Sequence, residues 1–296
     1  MFWPTLKLYI PGTLVVCILL YLASCHKTPA VNDEGVFGAP VPVALQPQAI
    51  QEASGIADSR INQGYLWTHE DSGNPTEIFL AGHDGKVFKT IFLANTINRD
   101  WEDMALAKGP DAALDYIYIA DCGDNGQSRD EYAIYRFPEP SLTVDTVRNI
   151  SKIRFRYPDG AHDAEAFFVD DADFSIYIIT KRDSVSQLYR LGPDYSLNAV
   201  NIATRVGTLP YNGVVSAAVS GDGSEVLVKT YADVNLYKLA AGQPLWRFVE
   251  SEPVSIAYQV EPQGEAITFA NDNTGFFTLS EKGFASSVKL YYYPRK

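Results

Sequence analysis

Short apolar runs rich in aromatic and β-branched residues alternate along this chain with turns of Gly, Asp, Asn and Pro. Such runs, bounded by turn residues and without helical periodicity, are typical of β-strands. One element recurs, a small or acidic start followed by an apolar run, in the segments 52–59, 100–107, 163–170, 214–223 and 264–270. Its spacing of about 50 residues is that of a four-stranded propeller blade. The pattern therefore predicts an all-β chain built from five repeats.

The number of strands bears on how the ring closes. Each of the first four repeats is followed by three more strand-like runs, whereas the last repeat is followed by only two. One further strand-like run, at 41–46, precedes the first repeat. If that run pairs with 288–293, the ring closes and no sheet edge stays open. We therefore expect a five-bladed β-propeller of four-stranded blades over residues 41–296, with a six-bladed ring as the alternative. An apolar run at 245–249 has no place in this scheme.

The N-terminus carries a targeting pattern. The apolar run Leu14–Leu22 is too short to span a bilayer, and it leads into Ala23, Ser24 and Cys25, a sequence that looks like a bacterial lipobox. We expect a signal peptide at 1–24, a lipid on Cys25 and a Pro- and Gly-rich tether at 25–40. The alternative is an ordinary signal peptide that ends in a cysteine. The expected location is the bacterial cell envelope, lipid-anchored and extracytoplasmic, with the outer membrane favoured.

The composition of the chain limits the classes of partner that it can bind. The chain has 24 Lys and Arg against 36 Asp and Glu, a net charge of −12. This charge disfavours a nucleic acid polymer or an anionic lipid surface as partner and suits divalent cations. Once Cys17 leaves with the signal peptide and Cys25 carries lipid, Cys122 has no cysteine to pair with. Stability must then come from the core or from a bound metal.

The repeats also predict a metal site. The first strand of each propeller blade lines the central channel, and aligning the repeats brings five oxygen-bearing residues to matching positions: Ser54, Glu102, Glu165, Ser216 and Glu265. Such a set suits Ca²⁺ better than Zn²⁺, which prefers His and Cys. Three converging carboxylates without a cation would repel one another. The alternative is that each Glu pairs with a nearby Arg or only closes its own turn.

Charged residues follow the second strand of several blades and belong to the same mouth of the channel. We single out Asp71, Lys181, Arg182 and Lys229. Basic groups above a Ca²⁺ could hold a phosphate and stabilise charge during its transfer, while Asp71 could orient or deprotonate water. The alternative is ordinary solvated loop charge.

The five oxygen-bearing residues resemble the metal set of the calcium-activated nucleotidase (apyrase) family. This resemblance implies a five-bladed propeller with one central Ca²⁺, and it implies that Asp71, Lys181, Arg182 and Lys229 face nucleotide phosphates. The chain departs from that family in blade two, where Asp121–Asn125 replaces a Gly-Lys-Glu-Trp loop.

A second resemblance covers most of the expected mature chain. The stretches EASGIA (52–57), DWED (100–103) and EYAIYRF (131–137) are similar to SdiA-regulated propellers and to esterase-like phytases, which implies the propeller fold. Two functions stay open. One is a Ca²⁺-dependent hydrolase acting on the phosphoester or phosphoanhydride of a phosphorylated small molecule. The other is a non-catalytic, Ca²⁺-stabilised binding or scaffold propeller that holds an envelope protein or glycan.

Overall fold

Five β-sheets succeed one another along the chain in the computed structural model, which describes residues 35–46, 49–283 and 285–296. Each sheet is built on four antiparallel strands, and in blade five the fourth of these is the N-terminal strand that closes the ring. Blade one consists of β2 (Ala53–Asp58), β3 (Tyr65–Glu70), β4 (Glu77–Gly82) and β5 (Val87–Leu93), with β9 (Thr146–Val147) added in parallel at its outer edge. Blade two consists of β6 (Trp101–Lys108), β7 (Asp115–Asp121), β8 (Tyr132–Pro138) and β10 (Ser151–Arg156), with β14 (Asn201–Ile202) at its outer edge.

The remaining three blades follow the same order from the channel outwards. Blade three consists of β11 (Ala164–Val169), β12 (Ile176–Thr180), β13 (Gln187–Leu191) and β15 (Thr204–Thr208). Blade four consists of β16 (Val214–Val219), β17 (Glu225–Thr230), β18 (Val234–Lys238) and β19 (Val254–Ile256). Blade five consists of β20 (Gly264–Phe269), β21 (Gly275–Ser280), β22 (Lys289–Pro294) and β1 (Val41–Ala44). The predicted five-bladed propeller is confirmed.

The ring closes as the number of strands predicted. Strand β1 pairs antiparallel with β22, from Val41 opposite Tyr292 to Ala44 opposite Lys289. Just before β1, Phe37 forms an isolated bridge with Arg295 and packs edge-on against Phe276, with 4.8 Å between ring centroids. Residues 35–40 of the expected tether therefore contact blade five.

Apolar side chains fill the spaces between blades. Within the described part of the chain, five buried clusters each join two neighbouring blades, for example through Trp67 with Trp101, Phe155 with Ile178, Phe168 with Val226, Leu236 with Phe276 and Ile56 with Leu279. The run at 245–249 forms a 3₁₀ helix, Leu245–Glu250, whose Leu245 and Phe248 are buried in the cluster between blades three and four. This helix packs in the interface between blades three and four and adds no strand to either sheet.

The expected signal peptide, Cys25 and residues 26–34 lie outside the described residues. Within the described ranges, no helix has both the length and the apolar character needed to cross a membrane.

Candidate metal centre

The inner strands β2, β6, β11, β16 and β20 pack side by side around the channel. Each has a bulge near its start, where the pairing with the second strand skips a residue or two. The skipped residues in β2, β11 and β20 are Ser54, Glu165 and Glu265. In β6 the skipped residues are Glu102 and Asp103. Bulges re-aim side chains, and in these four blades the predicted position falls within the bulge.

Blade four differs by one residue. The pairing of β16 with β17 runs from Val214 opposite Thr230 to Ser216 opposite Lys229, so Val215 occupies the bulge. The Ser216 hydroxyl donates to both carboxylate oxygens of Asp103, at 3.0 Å each. The Ser54 hydroxyl donates to the main-chain oxygen of Glu102. Both hydroxyls therefore bond to blade two, and their role as metal ligands stays a prediction.

A compact acidic cluster lies at the mouth where these strands begin. One carboxylate oxygen from each of Asp71, Asp100 and Glu102 lies within 4.8 Å of the others. Because Ca²⁺ binds oxygens about 2.3–2.6 Å away, two ligands of one ion lie within roughly 5 Å of each other. The spacing fits a single ion between blades one and two.

Burial and mutual repulsion disfavour the charged forms of the carboxylates here. Burial, with the nearby Glu265 and Asp100 adding to it, raises the pKa of Asp71 to about 6. Burial raises the pKa of Glu165 to about 8, in spite of the neighbouring Lys181 ammonium. Burial, followed by repulsion from Glu165 and Asp71, raises the pKa of Glu102 well above its usual range. The mouth holds more carboxylate than its own basic groups neutralise.

One of these carboxylates is incompletely bonded. Glu165 is only 5% exposed, and its Oε1 accepts a hydrogen bond from Lys181 Nζ. Its Oε2 is buried and has no hydrogen-bond partner among the described residues. A buried, unpaired carboxylate oxygen is costly and calls for a ligand such as a cation.

A glycine, Gly123, lies directly against the acidic cluster. A Cβ on Gly123 would overlap Glu102 Oε1 and lie 2.7 Å from the carboxylate carbon of Asp100. Only glycine lets the loop after β7 approach the carboxylates so closely. The loop at 121–125, where the chain departs from the apyrase pattern, thus forms part of the wall of the cluster.

Two of the predicted basic residues lie at this mouth. Lys181 is paired with Glu165, and its Nζ lies 3.0 Å from the Tyr231 hydroxyl. Arg182 donates from Nε to Asp163 at 2.5 Å and is half-exposed. Both side chains neutralise acidic neighbours.

Lys229 lies in the interior. It is fully buried, and its Nζ donates to the main-chain oxygen of Gly264 and lies 4.6 Å from the centre of the Tyr258 ring. Burial lowers the pKa of Lys229 to about 8. Lys229 is therefore held against the main chain of blade five, within electrostatic reach of Glu265, and its role towards a phosphate stays a prediction.

Sequence reasoning missed Tyr231 as a site residue and assigned no role to Glu281. Each directly follows the second strand of its blade, as Asp71 and Lys181 do. The Tyr231 hydroxyl donates to a Glu265 carboxylate oxygen, and burial raises the pKa of Glu281 to about 8, with repulsion from Glu265 adding to it. The shared position after strand two was the signal that could have found them.

Below the acidic cluster lies a carboxylate of another kind. Asp103 is fully buried and accepts hydrogen bonds from Met104 N (2.9 Å), Ala217 N (3.2 Å) and the Ser216 hydroxyl. The Ser216 oxygen in turn accepts from Ile267 N at 3.1 Å. This network, the Asp103 hub, joins blades two, four and five across the channel.

Comparisons with known proteins assign no family to this chain. No family model matches the chain, and no curated protein matches it. Among solved structures, the chain is similar to the hydrazine synthase of Kuenenia stuttgartiensis, at 10% identity over 82% of this chain and 71% of that one, with a TM-score of 0.41. It is also similar to an auxiliary nutrient binding protein from Bacteroides thetaiotaomicron, at 8% identity over 83% and 70%, with a TM-score of 0.48. The five-bladed propeller rests on the chain's own strand pairing, and the apyrase and phytase resemblances stay predictions.

Proposed function

We propose that this protein is a lipid-anchored, extracytoplasmic propeller that binds Ca²⁺ at the acidic mouth and serves as a binding or scaffold module of the cell envelope. The observation that carries the proposal is the cluster of Asp71, Asp100 and Glu102 oxygens within 4.8 Å of one another. The unpaired Oε2 of buried Glu165 supports it independently. All these donors are carboxylate oxygens, which are the ligands that Ca²⁺ prefers.

A cation at this position would join several blades. Asp71 follows the second strand of blade one, Glu102 belongs to blade two and Glu165 to blade three. An ion that binds only the folded ring stabilises it by about 2.7 kcal/mol at a hundredfold excess over Kd.

Calcium titration tests the proposal. We expect calorimetry to detect Ca²⁺ binding to the chelator-treated protein, and we expect millimolar Ca²⁺ to raise its melting temperature. Glu165→Gln should abolish most of that rise. Glu225→Gln is the matched control, because Glu225 pairs with Arg295 at 2.5 Å, away from the acidic cluster. If Ca²⁺ neither binds nor changes the melting temperature of the wild-type protein, the proposal fails.

A Ca²⁺-dependent phosphohydrolase is the second candidate, because Asp71, Lys181 and Arg182 surround the same mouth. Ca²⁺ would polarise a phosphoester or phosphoanhydride oxygen, and the two basic residues would neutralise developing charge. Two placements favour the binding module. Asp71, the expected base, lies among the metal ligands, and Lys229 is buried.

A panel of phosphatase and nucleotidase substrates, with added Ca²⁺ or with chelator, separates the two functions. Ca²⁺-dependent turnover that Lys181→Ala abolishes would establish the hydrolase. Ca²⁺ binding without turnover of any phosphorylated substrate would leave the binding module.

The anchoring part of the proposal rests on Cys25 after the apolar run. Cys25→Ala should release the protein from membranes or leave an unprocessed precursor. Metabolic labelling with a radioactive fatty acid checks this, and a wild-type chain that takes up no label would rule out the anchor.

A further inference from the structure

A cavity of about 650 Å³ lies on the face of the propeller opposite to the acidic cluster. It is lined by blades one and five, where Asp58 ends β2 and Asn271 follows β20. The predicted metal position Ser54 stands at the other end of β2, and four residues of strand span roughly 13 Å. The cavity is therefore separate from the acidic cluster, and its size lies within the range of about 300–1,000 Å³ typical of small-molecule sites.

Part of the lining is aromatic. The buried Phe277 packs against His83, with 4.6 Å between ring centroids, and against Tyr292, with 4.8 Å. His83 and Tyr292 are only half-buried, so both keep ring surface beside the cavity. Phe277 therefore supports both rings of this apolar wall.

The polar part of the lining is rich in free acceptors. His83 Nε2 lies 2.7 Å from Asp58 Oδ1, which leaves Nδ1 without a hydrogen-bond partner among the described residues. Asn271 donates its main-chain N–H and its Nδ2 to Asp58, at 2.9 and 2.7 Å, so its Oδ1 faces no donor in the described part of the chain. Asp272 Oδ1 accepts from Thr274 and leaves Oδ2 available.

The lining offers no spare positive charge for an anion. Arg60 is the lining arginine, and it is paired with Asp115 at 2.7 Å and with Asp171 at 3.0 Å. A suitable ligand therefore carries several hydroxyl donors, one apolar ring face and no negative charge.

We propose that this cavity binds a neutral saccharide. The ring face of a sugar would pack on Tyr292 and His83, and its hydroxyls would donate to Asn271 Oδ1 and Asp272 Oδ2. The Asp58 carboxylate, held by His83 and Asn271, acts as a positioning group for both.

Calorimetry with the purified protein tests this proposal. The probes are neutral di- and trisaccharides, including cellobiose, maltotriose and diacetylchitobiose, with glucose 6-phosphate and choline as anionic and cationic comparators. We expect a neutral saccharide to bind and both charged probes to fail. Absence of binding by every neutral saccharide, or preference for a charged probe, would overturn the proposal.

Single-residue variants test whether the saccharide binds in this cavity. Tyr292→Ala should weaken saccharide affinity by about tenfold or more. Tyr291→Ala is the matched control, because the preceding tyrosine of β22 lies on the other face and packs in the cluster between blades four and five. Glu165→Gln should leave saccharide binding unchanged, which separates this site from the acidic cluster. Equal affinity in Tyr292→Ala and wild type would contradict the assignment.

A wild-type measurement covers the case in which Tyr292→Ala fails to fold. Saturating saccharide should shift the imidazole NMR resonances of His83 and leave those of His162 unchanged, since His162 lies in the loop before β11, beside Asp183. Unshifted His83 resonances under saturation would overturn the proposal.

Discussion

Two neighbouring residues of β6, Glu102 and Asp103, are both buried carboxylates, yet their surroundings are opposite. Asp103 accepts hydrogen bonds from main-chain N–H groups and from a serine hydroxyl that belong to several blades. Glu102 lies among Glu165, Asp71 and Asp100, which repel it. Burial alone therefore does not mark a ligand site, because Asp103 is the more deeply buried of the two. What distinguishes the acidic cluster is its shortage of donors.

The Asp103 hub and the acidic cluster divide the work of holding the ring. In the hub, hydrogen-bond donors of the protein itself satisfy the Asp103 carboxylate, so the hub needs no ion. The acidic cluster lacks enough partners, so its stability depends on a cation or on protons. Mutations in each of the two regions test this division.

Asp103→Ala should lower the free energy of unfolding by about 3–5 kcal/mol, because it leaves several buried donors unpaired. The loss should be the same with Ca²⁺ and with chelator. Denaturant unfolding in both conditions measures it.

Asp103→Asn serves as the comparison, since it keeps one acceptor oxygen and should lose less stability than Asp103→Ala. A loss that disappears when Ca²⁺ is added would show that Asp103 belongs functionally to the acidic cluster, and the division would fail.

Glu102→Gln should act in the opposite way. In chelator the neutral amide replaces a carboxyl group whose ionisation burial and repulsion already disfavour, so stability should stay the same or rise slightly. With Ca²⁺ at a hundredfold excess over the wild-type Kd, the variant should lack most of the stabilisation of about 2.7 kcal/mol. Paired melting curves with and without Ca²⁺ provide the measurement. A variant that keeps the full Ca²⁺ response would remove Glu102 from the ligand set.

The pH dependence should separate the two regions as well. The pKa values of Glu165 and Glu281 in the folded chain are about 8, above the ordinary value of 4.5. The folded protein thus holds protons that the unfolded chain releases, so stability in chelator should be greatest below the unfolded pKa and fall as pH rises towards about 8.

Ca²⁺ should reduce that fall, because it replaces the protons of the acidic cluster. Burial also raises the pKa of Asp103 well above its usual range, and the contribution of the hub has the same sign but should not respond to Ca²⁺. Melting temperatures across pH, in Ca²⁺ and in chelator, test both statements. Stability that increases with pH in chelator would contradict them.

Much of the fold was predictable because it depends on local patterns. Strand-like runs and turns recur with a constant period, and the missing last strand indicated that 41–46 closes the ring. Glu165 and Glu265 were recognisable because each lies at the start of an otherwise apolar inner strand.

The features of the site that the sequence did not reveal depend on contacts between residues far apart in the chain or on a strand register that is shifted by one residue. In blade four the bulge falls at Val215, and the sequence around Ser216 carries no sign of that register. Lys229 was preferred for its charge, although Tyr231 occupies the position equivalent to Lys181. The role of Asp103 depends on donors from Ser216 and Ala217, more than a hundred residues away.

The smallest expected effect concerns Lys181, which supplies positive charge to the acidic cluster. Its ammonium is paired with Glu165, so it opposes the entry of a cation while it relieves the repulsion among the carboxylates. Lys181→Ala should therefore strengthen Ca²⁺ binding several-fold, a change of about 1 kcal/mol, and should slightly lower stability in chelator. Arg182→Ala is the matched control, because that more exposed side chain pairs with Asp163 and should change Ca²⁺ affinity less. Calorimetric titration of both variants decides the point. Weaker Ca²⁺ binding in Lys181→Ala would mean that the lysine positions the carboxylate ligands. The acidic cluster would then resemble the hub, because its carboxylates would be stabilised by partners from the protein itself.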